Sequence, residues 1–355
     1  MKILYVITGL SLGGAEKVVT ELADKMVLKG HEVKIAYLTG KVSVKPNSEQ
    51  IEIIALGLNS IVDLLKASLR YRQLIKTYKP DIVHAHMFHA NIFTRLNRIG
   101  CSIPRLLCTA HSSNEGGQAR MIAYRVTNFL SNFNSNVSEQ ATQSLIQKGA
   151  FSPDNLHTVY NGVDLNKFNK LVLHQQQKDK VKILAVGRFS EAKDYPNLLH
   201  AIAILRDQTN TEFHLEIAGD GELRPILEAL IQKLRLEQQV TLLGKRADIP
   251  DLLCQADIFV LASVFEGLPT VVLEAMACQC YVIATDCGGT SEIMGDTGQL
   301  VPIKNSQALA DAMQRALSLS ATERQQNNQK ARLLIENTFS LEASVNTWLT
   351  YYESL

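Results

Sequence analysis

The chain has 355 residues, 46% of them hydrophobic and 20% charged, with a net charge of +1. This is the make-up of a soluble globular protein long enough for two ordinary domains, each able to bury a core. No stretch reaches the roughly 18 to 20 apolar residues of a membrane-spanning helix. Cys101, Cys108, Cys254, Cys278, Cys280 and Cys287 lack paired Cys-x-x-Cys spacing, which argues against structural zinc and for free thiols in a reducing cytoplasm. The apolar run Ile3 to Ile7 is shorter than a secretory signal core.

Lys2 to Thr8 read as a short buried strand. The loop Gly9-Leu-Ser-Leu-Gly13-Gly14 and a helix from about Ala15 to Lys29 follow. This is the opening of a Rossmann-like βαβ unit without the Gly-x-Gly-x-x-Gly fingerprint, and its paired glycines let a ligand approach the backbone. His31 to Leu38, Ile51 to Leu56, Asp81 to His86 and Arg105 to Ala110 continue as strands, with a helix over Ile61 to Tyr78. His111 then falls just past a strand end, where open α/β sheets carry their functional side chains. His84, His86 and His89 cluster with no carboxylate or fourth ligand spaced to complete a metal site, so strand-end packing is the expectation. Asn134 to Ser138 and Leu156 to Tyr160 close a first domain over 1–166, with a turn at Asn161-Gly162. The polar, aperiodic segment 167–180 reads as a linker.

Val181 restarts the pattern. Lys182 to Gly187, Glu212 to Ala218, Val240 to Leu243, Asp257 to Ala262 and Tyr281 to Thr285 read as strands, and Pro196 to Arg206 as a helix. A second Rossmann-like domain is expected over 181–335. The last segment, 336–355, is expected as a helix whose Val345, Trp348, Leu349 and Tyr352 have the spacing of a face packed on something, with the first domain as the candidate. Two such domains would leave a cleft between their strand ends.

Two constellations in the second half carry chemistry. Arg188 and Lys193 follow its first strand, a planar fork and a mobile point charge suited to two linked phosphates. Phe265-Glu-Gly-Leu-Pro-Thr-Val-Val-Leu-Glu274 places Glu266 on a loop and Glu274 inside a helix, with Pro269 suited to the first helical position. Thr270 and Glu274 would share one helical face, where a carboxylate can grip a pair of adjacent hydroxyls.

Together with His111, Asn161-Gly-Val-Asp164, Val186-Gly-Arg188 and Ala218-Gly-Asp-Gly221, these motifs give a chain that resembles the family-4 retaining glycosyltransferases of the GT-B fold. The resemblance implies two Rossmann-like domains facing each other across a cleft and a nucleotide-sugar donor with a UDP or GDP carrier. Arg188 and Lys193 would hold the diphosphate, aided by the Gly13-Gly14 backbone. Glu274 would take the ribose hydroxyls, and the backbone from Leu243 to Lys245 would line the base pocket. Glu266, with the amides of Gly267, Leu268, Pro269 and Thr270, would meet the sugar hydroxyls, and His111 the far side of the sugar. Pro269 has no N–H, so only its neighbours' amides can donate there. No Asp-x-Asp motif is present, so no metal or other cofactor is expected, the two cations taking a metal's place.

Charge is split between the halves. Residues 1–170 carry 20 Lys+Arg against 12 Asp+Glu, a net +8, and the remaining 185 carry 16 against 23, a net −7. Ser60 to Arg125 alone hold ten basic residues and three acids, and the helix from Ile61 combines Leu64, Leu65 and Leu69 with Lys66, Arg70 and Lys76. The patch suggests peripheral contact with an anionic membrane and an acceptor that is a glycan or polyprenyl-diphosphate-linked glycan, at the cytoplasmic face. Nucleic acid is not expected, since no aromatic stacking platform accompanies the charge. The rival readings are a GT-B nucleotide-sugar epimerase or sugar phosphorylase, and a non-catalytic two-domain sugar-binding protein.

Overall fold

A computed structural model describes residues 1–11, 13–113, 115–169 and 180–355. Most of the segment read as a linker, 170–179, lies outside the described residues. The chain forms two compact units, Met1–Gly162 with Leu341–Leu355, and Val163–Ser340.

Unit 1 runs β1 (Lys2–Ile7), α1 (Gly14–Leu28), β2 (Glu32–Tyr37), β3 (Glu52–Ala55), α2 (Leu64–Tyr78), β4 (Ile82–His86), α3 (Phe88–Arg98), β5 (Arg105–Ala110), α4 (Gln118–Thr127), β6 (Phe133–Asn136), α5 (Glu139–Gln147) and β7 (His157–Thr158). Its strands pair in the order β3-β2-β1-β4-β5-β6-β7, all parallel. Unit 2 continues with β8 (Val181–Val186), α6 (Tyr195–Gln208), β9 (Phe213–Ala218), α7 (Arg224–Lys233), β10 (Val240–Gly244), α8 (Ile249–Gln255), β11 (Ile258–Leu261), α9 (Thr270–Ala277), β12 (Tyr281–Thr285), α10 (Thr290–Met294), β13 (Gln299–Val301), α11 (Ser306–Ser318) and α12 (Ala321–Thr338). Its sheet is also parallel, in the order β10-β9-β8-β11-β12-β13. The last helix, α13 (Leu341–Ser354), belongs to unit 1.

Parallel strands covered on both faces read as unbroken apolar runs, and β1 is buried from Ile3 to Ile7. Alternate residues serve opposite faces. Ile3, Tyr5 and Ile7 pack with Val19, Leu22 and Met26 of α1 and with Val345 and Trp348 of α13. Leu4 and Val6 pack on the other side with Ala67, Tyr71 and Ile75 of α2 and Phe93 of α3. In unit 2, Ile183 and Ala185 of β8 meet Leu198 and Ile202 of α6 and Leu309 and Met313 of α11.

The change of unit comes at Gly162, ahead of the boundary at 166 that composition suggests. Val163 already bridges Ser340, and its N–H donates to the Phe339 carbonyl (2.9 Å). At the far end α12 continues through Thr338, so the helix expected over 336–355 begins at Leu341.

The sequence reading passes over α3. Its apolar period is broken by Asn91, Thr94, Arg95 and Asn97, yet all four are buried. Arg95 donates from Nη2 to Asn134 Oδ1 (2.5 Å) and from Nη1 to Thr127 Oγ1 (3.3 Å), while its buried Nε has no partner among the described residues, so a fully buried cation stands where periodicity asks for an aliphatic residue.

Helix α13 is bonded into the sheet as well as packed on it. The Tyr352 hydroxyl meets His84 Nδ1 (2.7 Å) and the Tyr5 hydroxyl (3.2 Å), while Arg105 Nη1 donates to the Tyr352 carbonyl (3.0 Å). Trp348 lies with its ring centroid 4.4 Å from that of His84. Trp348→Ala is expected to destabilise unit 1 by about 3–5 kcal/mol. Denaturant unfolding measures this, and a loss below about 1 kcal/mol would mean that α13 is only loosely held.

Candidate active site

In unit 2, β8 and β11 are neighbours whose following connections run in opposite directions, from β8 to β9 and from β11 to β12. The crevice outside the carboxyl ends of such a strand pair is where open α/β sheets bind ligands. Two loops meet there. The loop after β8 carries Arg188 and Lys193, and the loop after β11 carries Glu266. The Val264 N–H donates to the Ala192 carbonyl (2.8 Å), and Lys193 Nζ donates to Glu266 Oε1 (2.5 Å). Ser263 Oγ donates to the same carboxylate oxygen (2.6 Å).

The loop after β12 supports this pair from behind. Thr285 Oγ1 donates to the Ser263 carbonyl (2.6 Å), and the Gly289 N–H to the Gly267 carbonyl (2.7 Å). Gly288 has φ +56°, and a Cβ there would lie 2.4 Å from the Glu266 carbonyl oxygen. Only glycine serves at that point. Burial, with the Glu266 charge adding to it, pushes the Cys287 thiol up to about 11. Cys287 is thus a neutral wall rather than a nucleophile.

Arg188 is exposed at the tip of its loop, while Phe189 beside it is fully buried and anchors the loop. Gly219-Asp220-Gly221 presses against the same loop. A Cβ on Gly219 would lie 1.9 Å from the Gly187 carbonyl oxygen, and the Phe189 N–H donates to the Asp220 carbonyl (3.0 Å). The Gly-Asp-Gly motif therefore holds Arg188's loop through its backbone. Lys245 is exposed at the carboxyl end of β10, next to Gly244, whose carbonyl accepts the Gly219 N–H (2.9 Å).

Pro269 is a correction to the sequence reading. It occupies the N-cap of α9, with φ −70° and ψ 94°, and Thr270 takes the first helical position. Gly267, Leu268 and Pro269 are buried, Thr270 half-buried, and Glu274, one turn on, is 5% exposed. Glu266 and Glu274 thus sit in different surroundings, one on the loop with a cation and one enclosed in the helix.

In unit 1 the corresponding reversal lies between β1 and β4. Gly13 is the N-cap of α1 and Gly14 its first residue. Gly13 has extended backbone, and a Cβ there would meet the Glu16 carboxylate at 2.3 Å, so its missing side chain leaves room for Glu16. His111 directly follows β5. Its N–H donates to Glu115 Oε1 (3.1 Å), and its Nε2 faces His86 Nδ1 (3.0 Å). Burial lowers His111 to about 4, which keeps the ring neutral at physiological pH, one nitrogen a donor and the other an acceptor.

Two features of this region go beyond the sequence reading. His86, expected from its cluster with His84 and His89 to pack at a strand end, faces His111 Nε2 and fixes its orientation. Met87 has φ +74° and ψ 157° at the end of β4, a sparsely populated conformation for a side-chain-bearing residue. Nothing in a sequence marks such a site. Among the described residues no group of three or more His, Cys, Asp or Glu is placed to hold a metal ion.

Residues 12–167 match the family described as Glycosyltransferase Family 4, and residues 168–333 match Glycosyl transferases group 1. The chain is 30% identical over 338 residues to the N-acetylgalactosamine-N,N'-diacetylbacillosaminyl-diphospho-undecaprenol 4-alpha-N-acetylgalactosaminyltransferase of Campylobacter jejuni, covering 88% of each chain. It is 26% identical over 283 residues to the UDP-Gal:alpha-D-GlcNAc-diphosphoundecaprenol alpha-1,3-galactosyltransferase of Escherichia coli, covering 72% of this chain and 71% of the relative. Among solved structures, Anabaena HepE in complex with UDP and glucose superposes with a TM-score of 0.83 at 20% identity over the whole of both chains. The chain is a family-4 glycosyltransferase of the GT-B fold. It is an enzyme of the glycosyl-transfer class.

Lys193→Met leaves the Glu266 carboxylate partly buried without its cation, and is expected to cost about 1–3 kcal/mol of unit 2 stability. Arg188→Ala, at an exposed position, should stay within about 0.5 kcal/mol. Equal denaturation midpoints for the two variants would show that the ion pair does not stabilise the loops.

Burial holds His84 and His86 well below the ordinary 6.5. Below pH 6.5 the unfolded chain takes up protons that these folded rings refuse, so stability falls as pH drops from 6.5 toward the folded values. The slope approaches about 1.4 kcal/mol per pH unit for each ring. Unfolding free energies measured from pH 7.5 to 5 check this, and a flat profile would contradict the neutral, buried state of both.

Proposed function

We propose that the enzyme transfers a sugar from a UDP- or GDP-sugar, with retention of anomeric configuration, to a glycan or polyprenyl-diphosphate-linked glycan in the assembly of a cell-surface polysaccharide. The observation that carries this reading is Lys193 bonded to Glu266 across the β8/β11 strand ends, with Arg188 on the same loop. Breaking the bond to the nucleotide builds negative charge on the leaving diphosphate and positive charge on the sugar ring. Cations already fixed beside the diphosphate interact more strongly with that transition state than with the bound donor.

Lys193 has three N–H donors. One is directed at Glu266, which leaves donors for phosphate oxygens while the carboxylate holds the ammonium in place. Arg188, at the exposed tip, supplies a planar fork. Glu266 and the backbone of Gly267, Leu268 and Thr270 take the sugar hydroxyls in this reading, Glu274 the ribose, and the Gly244–Lys245 backbone the base. In unit 1, the neutral His111 is the group assigned to a sugar hydroxyl, and the Gly13-Gly14 turn the group assigned to phosphate. No metal ion is needed, since the two cations carry the charge a metal would otherwise neutralise.

The lipid-linked acceptor is supported by the names of the C. jejuni and E. coli relatives, both of which carry diphospho-undecaprenol substrates, and a nucleotide-sugar donor by the UDP-Gal of the second. The net charge of +8 over residues 1–170 favours peripheral contact of this half with an anionic cytoplasmic membrane face.

Arg188→Ala and Lys193→Ala should each lower turnover at saturating donor by about 10²–10³, with activity of the unaltered enzyme persisting in EDTA. Near-normal turnover in both variants removes the diphosphate assignment, and loss in EDTA restored by Mg²⁺ removes the metal-free one.

A further inference from the structure

Strand β4 carries two histidines on one face. His84 and His86 stand two positions apart, both buried, with their ring centroids 4.0 Å from each other. Their hydrogen bonds differ. His84 has a partner at each ring nitrogen, the Tyr352 hydroxyl at Nδ1 (2.7 Å) and Thr109 Oγ1 at Nε2 (2.7 Å). His86 has His111 Nε2 at its Nδ1 (3.0 Å), and its own buried Nε2 has no partner among the described residues. A buried polar atom left unpaired costs stability, so a ring kept there at that cost serves something other than packing.

The backbone brings this ring to the site histidine. Strands β4 and β5 pair in register with His86 beside Thr109, and His111 lies two residues past Thr109, on the same face. The Met87 N–H and Asn91 Nδ2 both donate to the Thr109 carbonyl (3.0 Å each), which ties the end of β4 and the start of α3 to the strand that His111 leaves. Glu115 Oε1 accepts the His111 N–H (3.1 Å). Backbone and one ring nitrogen of His111 are therefore fixed. Its Nδ1 is the ring nitrogen left for a ligand.

The unpaired Nε2 of His86 decides where the protons lie. Burial keeps both rings neutral at physiological pH, so each carries a single ring N–H. If His86 accepted from His111, its own proton would sit on Nε2, a buried N–H with no acceptor. If His86 donates from Nδ1, only a lone pair is left unpaired at Nε2. A buried N–H without an acceptor is the rarer fault in folded proteins, and an under-satisfied acceptor the commoner one. The hydrogen bond at one ring nitrogen sets which nitrogen holds the proton. His111 then carries its proton on Nδ1, the less common form of a histidine side chain free in water.

We infer that His86 is a positioning residue, donating from Nδ1 to His111 Nε2 so that His111 presents Nδ1–H as a fixed hydrogen-bond donor. Such a donor recognises an oxygen lone pair and rejects a group that can only donate. Aimed before the ligand arrives, it needs no reorganisation on binding. That the oxygen belongs to the transferred sugar rests on the function proposed above, whereas the locked tautomer rests on the geometry of unit 1 alone.

The test labels the histidine rings of the full chain with nitrogen-15 and reads by NMR which nitrogen of His111 is protonated, its signals being assigned by their absence in His111→Gln. The unaltered chain should hold the proton on Nδ1. His86→Phe keeps a ring in the stack and removes the donor. It should retain its circular dichroism and denaturation midpoint, shift His111 toward the Nε2 form, and lower turnover of a UDP- or GDP-sugar about 10-fold or more. His86→Asn loses the ring but offers a side-chain N–H near the place of Nδ1, and should recover the Nδ1 form and most of that turnover. Packing alone predicts the reverse order, since Phe fills the space and Asn does not. A proton on Nε2 of His111 in the unaltered chain overturns the proposal, as does an unchanged tautomer in His86→Phe, or His86→Asn turning over more slowly than His86→Phe. If the Nδ1 form is present and is lost in His86→Phe while the unaltered chain turns over no UDP- or GDP-sugar, the proposed function falls and the positioning role stands.

Discussion

A sheet made only of parallel strands cannot be closed by hairpins. Each strand must be followed by a crossover, normally a helix, and helices on both faces bury every strand. From that constraint follows most of this molecule: the alternating elements, the apolar strands, and the gathering of loops at the carboxyl edges. It also explains why chemistry-bearing residues collect there. Arg188, Lys193 and Glu266 sit past the ends of β8 and β11, and His111 past the end of β5, because those are the positions where a side chain escapes the core without leaving the scaffold.

The same constraint made the fold legible in the sequence. Runs such as Lys2–Ile7 and Val181–Val186 announce buried strands, and their repetition announces two Rossmann-like units. What was hidden is hidden for physical reasons. Helix α3 carries Asn91, Thr94, Arg95 and Asn97 into the interior, where each makes hydrogen bonds, so no hydrophobic period betrays it. Strand β13 has only three residues. The outward face of α2 misleads in the opposite sense, since an even reading of its leucines would send Leu65 and Leu69 inward while the structure spends Tyr71 and Ile75 there.

At the site, residue types were legible and their partners were not. Glu266 and Lys193 are 73 positions apart, and nothing in either stretch says that they touch. The glycines gave a partial signal. Gly219 and Gly221 read as a motif, but their reason lies in the backbone of the loop they support, and Gly288, which admits the Glu266 carbonyl, belongs to a third loop that no pattern singles out. Ser263, which shares Glu266 Oε1 with Lys193, is a serine like many others until the loops are folded together.

Helix α13 leaves unit 1 discontinuous in the chain, because its last fifteen residues follow the whole of unit 2. On a ribosome, translation therefore delivers all of unit 2 before unit 1 has its full complement of parts. Until then the faces of Tyr5 and His84 that Trp348 and Tyr352 cover are without their cover. The half that is synthesised first is the half that finishes folding last, and in the interval its unfinished surface is the one exposed to chaperones and to other nascent chains.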